Sequence, residues 1–224
     1  MRILLTNDDG FDAPGLVLLE SIASKLGNVT VVAPDEGLSG CGHQMTLDRK
    51  MKLVEVEQNR FRLNGMPADC VRVAVAKFGP FDWVFSGVNQ GANLGVDIAV
   101  SGTVAAVREA AQLRMPGIAF SQYRGRQTNR DDWSLAESNI PRIFAELQAR
   151  DLCPGEFWNV NFPCQWLTRD PLFTECEVDT MALPMDYSFD GEQVEFCGNY
   201  HRRPARPGTD VEHCFAGRIT VSKV

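Results

Sequence analysis

Short apolar runs and helical stripes alternate through the first half of this chain. Arg2-Ile3-Leu4-Leu5 reads as a strand buried on both faces, the kind found inside a parallel sheet. From Leu16 to Leu26 the apolar residues Leu16, Leu19, Ile22, Ala23 and Leu26 form a helical stripe, closed by Gly27-Asn28. Val29–Ala33 is a second buried strand stopped by Pro34, and the glycines and polar residues from Asp35 to Gln44 make a loop. Met51–Glu57 and Arg60–Leu63 alternate as an antiparallel hairpin turning at Gln58-Asn59. Pro67–Phe78 predicts a helix with Pro67 in its first turn. Trp83–Gly87 is a third strand, Thr103–Leu113 an alanine-rich helix and Gly117–Ser121 a fourth strand. Asn129–Ala149 is a long helix and Phe157–Phe162 one more strand. Strands joined by helices require a mostly parallel sheet with helices on both faces, a three-layer Rossmann-like α/β fold.

From about Cys176 the pattern changes. Glu177–Met181, Gln193–Cys197 and Arg218–Val224 read as strands with little helix between them. The expectation is a single α/β domain over 1–224, with a core to about 175 and a small β-rich appendage over about 176–224 suited to packing on a neighbouring subunit. The 224 residues fit one such domain. With 44% hydrophobic and 23% charged residues the chain can bury a substantial core. A net charge of −7 argues against a nucleic-acid polymer as partner. No apolar run approaches ~20 residues, so no membrane span is expected. The N-terminus enters a strand without a signal-peptide layout. Seven scattered cysteines with no Cys-x-x-Cys pair favour reduced thiols in the cytoplasm over a disulfide framework or a zinc site.

The chemistry-bearing residues fall just after predicted strands. Thr6-Asn7-Asp8-Asp9-Gly10 puts two adjacent carboxylates at the carboxyl end of the first strand, where open α/β sheets bind ligands. Neighbouring carboxylates raise each other's pKa unless a cation intervenes, and an oxygen-rich corner suits Mg²⁺ or Mn²⁺. Three further segments share that edge. Ser39-Gly40 offers a hydroxyl on a glycine-rich loop. Ser86–Gly95 supplies amide oxygens and N–H donors from Asn89, Gln90 and Asn93. Ser101-Gly102-Thr103 opens a helix, where free N–H groups and the helix dipole favour an anion. Each segment alone is an ordinary turn or cap. Together they fit metal-assisted attack on a phosphate ester.

These segments carry a family resemblance. Arg2–Gly10, Ala33-Pro34-Asp35 with Ser39-Gly40, Gly65–Val71, Ser86–Gly95, Ser101–Ala106, Asn159-Val160-Asn161 and Gly208–Val211 closely resemble the stationary-phase survival protein SurE family of metal-dependent 5'/3'-nucleotidases and acid phosphatases. The resemblance implies one divalent ion, Mg²⁺ or Mn²⁺, held by Asp8, Asp9, Ser39 and Asn89. It implies a phosphate and substrate pocket at Asn7, Gly40, Asn93, Ser101, Gly102 and Thr103, with Asp8 and Asp9 as the catalytic pair. It also implies hydrolysis of nucleoside monophosphates by metal-activated water, and a homodimer or tetramer with an exchanged C-terminal arm. This chain departs from the family at Glu36-Gly37-Leu38, which is less basic than usual, and at Cys41-Gly42-His43-Gln44, where a small residue and a second serine are common. His43 reads either as a phosphate contact or proton donor, or as a structural histidine. Two alternatives stand beside the nucleotidase: a phosphatase working through an aspartyl-phosphate, and a nucleotide-binding module without hydrolysis. The latter would be expected to show Gly-x-Gly-x-x-Gly after the first strand, which this chain lacks.

Overall fold

A computed structural model describes residues 1–125, 132–167 and 172–224. Its main sheet is built around β1 (Arg2–Thr6), whose Ile3, Leu4 and Leu5 are wholly buried. Each such side chain contributes roughly 1.5–3 kcal/mol of burial. On one side of β1 lie β2 (Asn28–Pro34), β4 (Arg60–Leu63) and β3 (Leu53–Glu57). On the other lie β5 (Trp83–Gln90), β6 (Gly117–Gln122) and β7 (Trp158–Phe162), followed by β11 (Thr220–Lys223) and the short β8 (Thr174–Glu175). β1 pairs in parallel with both β2 and β5. The chain therefore reverses its direction of growth at β1, and the loops after β1 and β5 diverge to leave a crevice at their carboxyl ends.

Helices cover both faces. α1 (Pro14–Ala23) and α4 (Ser134–Leu147) bury Leu16, Leu19, Ile140, Ile143 and Phe144 against one face. α2 (Pro67–Phe78) and α3 (Gly102–Gln112) bury Cys70, Val71, Ala74, Ala106 and Ala110 against the other. The small residues of α3 let it lie close to the sheet and to α2. The three-layer α/β fold is as expected, β4 and α2 match their predicted spans, and β3 begins at Leu53, two residues later than the predicted Met51.

Several elements differ from the sequence pattern. β5 runs past Gly87 to Gln90, with an irregularity between Ser86 and Asn89. Gly87 has φ +129, and a Cβ there would lie 2.2 Å from the Phe120 carbonyl oxygen, so glycine lets the strand kink and continue. α4 begins at Ser134, and residues 129–131 of the longer expected helix lie outside the described residues. Glu177–Met181 is not a strand beyond one isolated bridge from Glu177 to Thr209. The Asp179 carboxylate there accepts from the backbone N–H of Met181 and Arg206, and such local bonds replace a ladder.

The tail is also divided. Among the described residues, β9 (Tyr187–Asp190) and β10 (Gln193–Phe196) form an antiparallel hairpin apart from the main sheet. α5 (Asp210–Phe215) leads into β11, which returns to the main sheet between β7 and β8.

Candidate functional site

The chain turns sharply after β1, and Gly10 takes φ +101 beneath the segment that follows β2. Leu38 N–H donates to the Asp8 carbonyl at 2.7 Å and Phe11 N–H to the Pro34 carbonyl at 2.8 Å. These bonds lay the Ser39 loop against the carboxylate turn. Asp8 itself is buried. Its Oδ1 accepts from the Thr103 hydroxyl and its Oδ2 from Gly102 N–H at 3.1 Å. The anion seated at the start of α3 is thus Asp8's own carboxylate, favourably placed at the positive end of the helix. Burial pushes the Asp8 carboxyl above its ordinary pKa, and the Thr103 and Gly102 bonds oppose that rise.

Asp9 is half-buried and accepts from Gln90 N–H at 3.2 Å, a bond that crosses the crevice between β1 and β5. Burial first, and the Asp8 charge second, push Asp9 up to about 6. Among the described residues no lysine, arginine or histidine forms an ion pair with either carboxylate. Two crowded acids without a cation are the arrangement that a divalent ion relieves.

The other expected ligands lie on the same edge. Ser39 sits exposed in the turn that Leu38 pins to Asp8. Asn89 stands next to Gln90 on β5, and its amide nitrogen donates to the Gly91 carbonyl at 2.9 Å, which leaves the amide oxygen as the acceptor for another partner. Asn7 is buried, with its amide nitrogen on the Gly10 carbonyl and its Oδ1 without a hydrogen-bond partner. An orphaned acceptor matches a cation or a donor better than a phosphate oxygen. Among the described residues no three His, Cys, Asp or Glu side chains cluster as a metal site. A cation here would therefore depend on two carboxylates completed by neutral oxygens. That hard, all-oxygen set fits Mg²⁺ or Mn²⁺ rather than a thiolate-seeking ion.

The expected phosphate residues divide into two groups. Gly102 N–H and the Thr103 hydroxyl are spent on Asp8, so they orient the carboxylate directly. Ser101 Oγ caps α3 by accepting from Val104 N–H at 3.1 Å, which leaves its hydroxyl hydrogen free to donate elsewhere. Asn93 is nearly buried in an amide cluster. Its side chain donates to Ser121 Oγ at 2.7 Å, its N–H to Asn161 Oδ1, and its carbonyl accepts from Asn159 and Asn161. That cluster fixes the course of the loop after β5. Gly40 lies exposed beside Ser39 with φ +74, and a Cβ there would meet nothing within 4 Å, so its backbone geometry rather than crowding calls for glycine.

Sequence reasoning missed what holds the long 35–52 segment in place. His43 Nε2 lies 2.9 Å from Glu109 Oε2, and Arg72 donates to Glu109 Oε1 at 2.6 Å. Glu109 is 1% exposed on α3. The His43 ring is thereby engaged with the scaffold, which favours its structural reading. Gly42 N–H bonds the Val100 carbonyl, and Thr46 N–H bonds the Asp69 carboxylate at the start of α2. The available signal was Glu109 itself, a charged residue among the alanines of a helix. Cys41, which the sequence marks as a departure from the family pattern, proves to lie against the helix start. Its Sγ packs beside Gly102, and its thiol is pushed up to about 11 by burial and then by the Asp8 charge.

Fold and site together define a Rossmann-like α/β protein with an acidic, oxygen-rich turn at the switch point of its sheet. The chain belongs to the survival protein SurE family, whose pattern it matches over residues 3–181. A relative from Nostoc sp., provisionally named a 5'-nucleotidase, is 43% identical over 227 residues, covering 100% of this chain and 99% of that one. The 5'-nucleotidase SurE of Allorhizobium ampelinum is 38% identical over 239 residues, covering 99% of this chain and 90% of that protein. The crystal structure of SurE protein from Aquifex aeolicus superposes with a TM-score of 0.86 at 28% identity, covering 100% of this chain and 93% of that one.

Proposed function

We propose that this protein is a divalent-metal-dependent phosphomonoesterase that hydrolyses nucleoside 5'-monophosphates, and by the same chemistry 3'-monophosphates, to nucleoside and phosphate. The observation that carries this reading is the Asp8–Asp9 pair. It stands at the switch point of a SurE-family sheet, drawn out of water and, among the described residues, with no cationic side chain paired to it. Such a pair repels a phosphate unless a cation bridges the two. Asp8, Asp9, Ser39 and Asn89 are the oxygen donors that would hold Mg²⁺ or Mn²⁺. When bound, the ion supplies Lewis acidity toward phosphoryl oxygens and acidifies water.

The chain's own residues do the rest. Gly102 and Thr103 each bond one oxygen of Asp8, which therefore keeps one orientation and retains a lone pair on each oxygen for a cation. Gln90 N–H holds one oxygen of Asp9, leaving the other directed by the same anchor. The Ser101 hydroxyl and the loop that Asn93 holds in place stand beside them as donors toward the phosphoryl oxygens. Donors held before substrate arrives need no reorganisation during transfer.

The hairpin β9–β10 supports a homodimer or tetramer formed through the C-terminal arm over about 176–224. Its Phe189 is 75% and Val194 59% exposed, a large apolar area for an isolated hairpin. Seven free cysteines support a reducing, cytoplasmic setting. No helix among the described residues is long and apolar enough to cross a membrane.

The test is Asp9→Asn. The variant is expected to fold, to lose phosphate release, and to lose Mn²⁺ binding by calorimetry. A folded Asp9→Asn protein with full activity would refute the assignment.

A further inference from the structure

Asn89 of β5, Ser121 of β6 and Asn161 of β7 stand in one register row across the sheet. Ser121 and Asn161 are fully buried, so neither touches a substrate. Both reach Asn93 instead. Asn161 Oδ1 accepts from Asn93 N–H at 2.8 Å, and its Nδ2 donates to the Asn93 carbonyl at 3.0 Å. One side chain thus meets both main-chain groups of Asn93, as a neighbouring strand would, and only one orientation of its amide satisfies the two. Ser121 Oγ accepts from Asn93 Nδ2 at 2.7 Å and holds the side chain of the same residue. A third amide, Asn159, only adds a second donor to the Asn93 carbonyl, at 2.8 Å.

The consequence falls on Asn89. β5 ends at Gln90, and the chain returns to the interior at Asn93. Between them the Gly91 carbonyl accepts from Asn89 Nδ2 at 2.9 Å. The direction of that carbonyl decides which way the Asn89 amide faces. It is set by the two ends of a short bend. One end is the pairing of β5 and Gly91 with β6, and the other is Asn93. Gly91 has φ +151, so with Asn93 released the glycine leaves the bend free to turn. Gln90 N–H, which holds Asp9, opens the same bend.

We infer that Asn161 and Ser121 are positioning residues for the metal site. By clamping Asn93 they hold the Asn89 amide in the orientation that leaves its oxygen to a divalent cation at Asp8 and Asp9. The inference rests on the metal-dependent reading, in which Asn89 is one of the four oxygen donors. A clamp of this kind costs no freedom when the ion arrives, because the donor is already in place. Asn161 and Ser121 lie one and two strands beyond Asn89, so they act only through the chain they hold.

The test is Mn²⁺ calorimetry on metal-free protein without substrate, with a thermal melt on each sample. It compares wild type with Asn161→Ala, Ser121→Ala and Asn159→Ala. Asn159 and Asn161 share one face of β7, so each alanine removes a buried amide from the same layer and the two should lower Tm alike. Only Asn161→Ala strips the Asn93 N–H of its acceptor. Partners that orient a metal ligand contribute about 10–100-fold to affinity, so Asn161→Ala is expected to weaken Mn²⁺ binding about tenfold and Ser121→Ala about fivefold, with Asn159→Ala within about twofold of wild type. The affinity is read from the molecules that bind, so a partly unfolded sample does not alter it. Asn161→Ala and Asn159→Ala with equal affinities would overturn the clamp. If Asn161→Ala does not fold, Ser121→Ala decides, and wild-type affinity there would overturn it. Wild-type protein that binds neither Mn²⁺ nor Mg²⁺ would overturn the clamp and the metal reading together. Mn²⁺ binding that follows the expected order without phosphate release from AMP would support the clamp and refute the nucleotidase reading alone.

Discussion

Replacing Gly102 with alanine strikes the site where it is tightest. Gly102 has ordinary helical geometry, so a Cβ brings no backbone strain. The cost comes from its neighbours. The new atom would fall 2.6 Å from Cys41 Sγ, 2.7 Å from Asp8 Cβ and 2.9 Å from Asp8 Oδ2. Asp8 Cβ is tied to the backbone of a pinned turn and cannot swing aside as a long side chain would. Overpacking of this kind costs about 1–3 kcal/mol, and alanine's better helix propensity returns up to about 1 kcal/mol. The net loss of stability is therefore about 0–3 kcal/mol, less than the stability of a typical domain, so the variant should fold. Function should suffer more, because the Asp8 carboxylate must leave the Gly102 and Thr103 donors. A displacement of about 1 Å in a catalytic group costs on the order of 100-fold in rate. The assay is kcat for AMP at saturating Mn²⁺, with a thermal melt and Mn²⁺ calorimetry on the same sample. Adding Cys41→Ala removes only the contact with sulfur and should not restore activity. A Gly102→Ala enzyme within threefold of wild type would show that Asp8's position does not matter. Rescue by Cys41→Ala would show that the thiol, and not Asp8, was the obstacle.

Other perturbations separate the scaffold from the chemistry. Asp9→Asn removes a charge whose pKa is raised from 3.8 to about 6. The ionised form is therefore disfavoured in the folded state at neutral pH, and the metal-free variant should be more stable by about 1–3 kcal/mol, read as a higher Tm. His43→Ala leaves Glu109 with Arg72 alone and frees one anchor of the 35–52 segment. We expect faster tryptic cleavage at Arg49 or Lys50, a several-fold weaker Mn²⁺ affinity and a nearly unchanged kcat at saturating metal; an unchanged cleavage rate would remove His43 from the anchoring role. Arg203, fully enclosed, donates to Asp97 at 2.7 Å beside the Tyr200–Asp97 bond. Arg203→Ala should cost about 3–5 kcal/mol by chemical denaturation, since it strands a buried carboxylate; a loss below about 1 kcal/mol would show that Tyr200 suffices.

The main sheet and its helices were legible because their signals are local. A buried run, a glycine stop and a helical stripe can each be read within a dozen residues, and their alternation implies the parallel order. The carboxylate pair was legible for the same reason, since it follows the first strand directly. What stayed hidden depends on distant pairing. Arg218–Val224 has the pattern of a strand, yet nothing near it indicates that β11 inserts between β7 and β8. The helix start at Ser101–Thr103 is recognisable as an anion cradle, but only the folded chain shows Asp8 occupying it. The His43–Glu109 pair joins residues 66 positions apart. Glu177–Met181 misled because alternation does not register that Asp179 bonds the backbone around it.

The central claim is metal-dependent release of phosphate from nucleoside monophosphates. The most direct measurement is phosphate release from a panel of 5'- and 3'-monophosphates, with EDTA and then with added Mg²⁺ or Mn²⁺. No release is expected in EDTA, and turnover is expected to return with one of the two ions. Equal release with and without chelator would contradict the role given to Asp8 and Asp9. No release with either ion from a folded sample would contradict the assignment as a phosphomonoesterase.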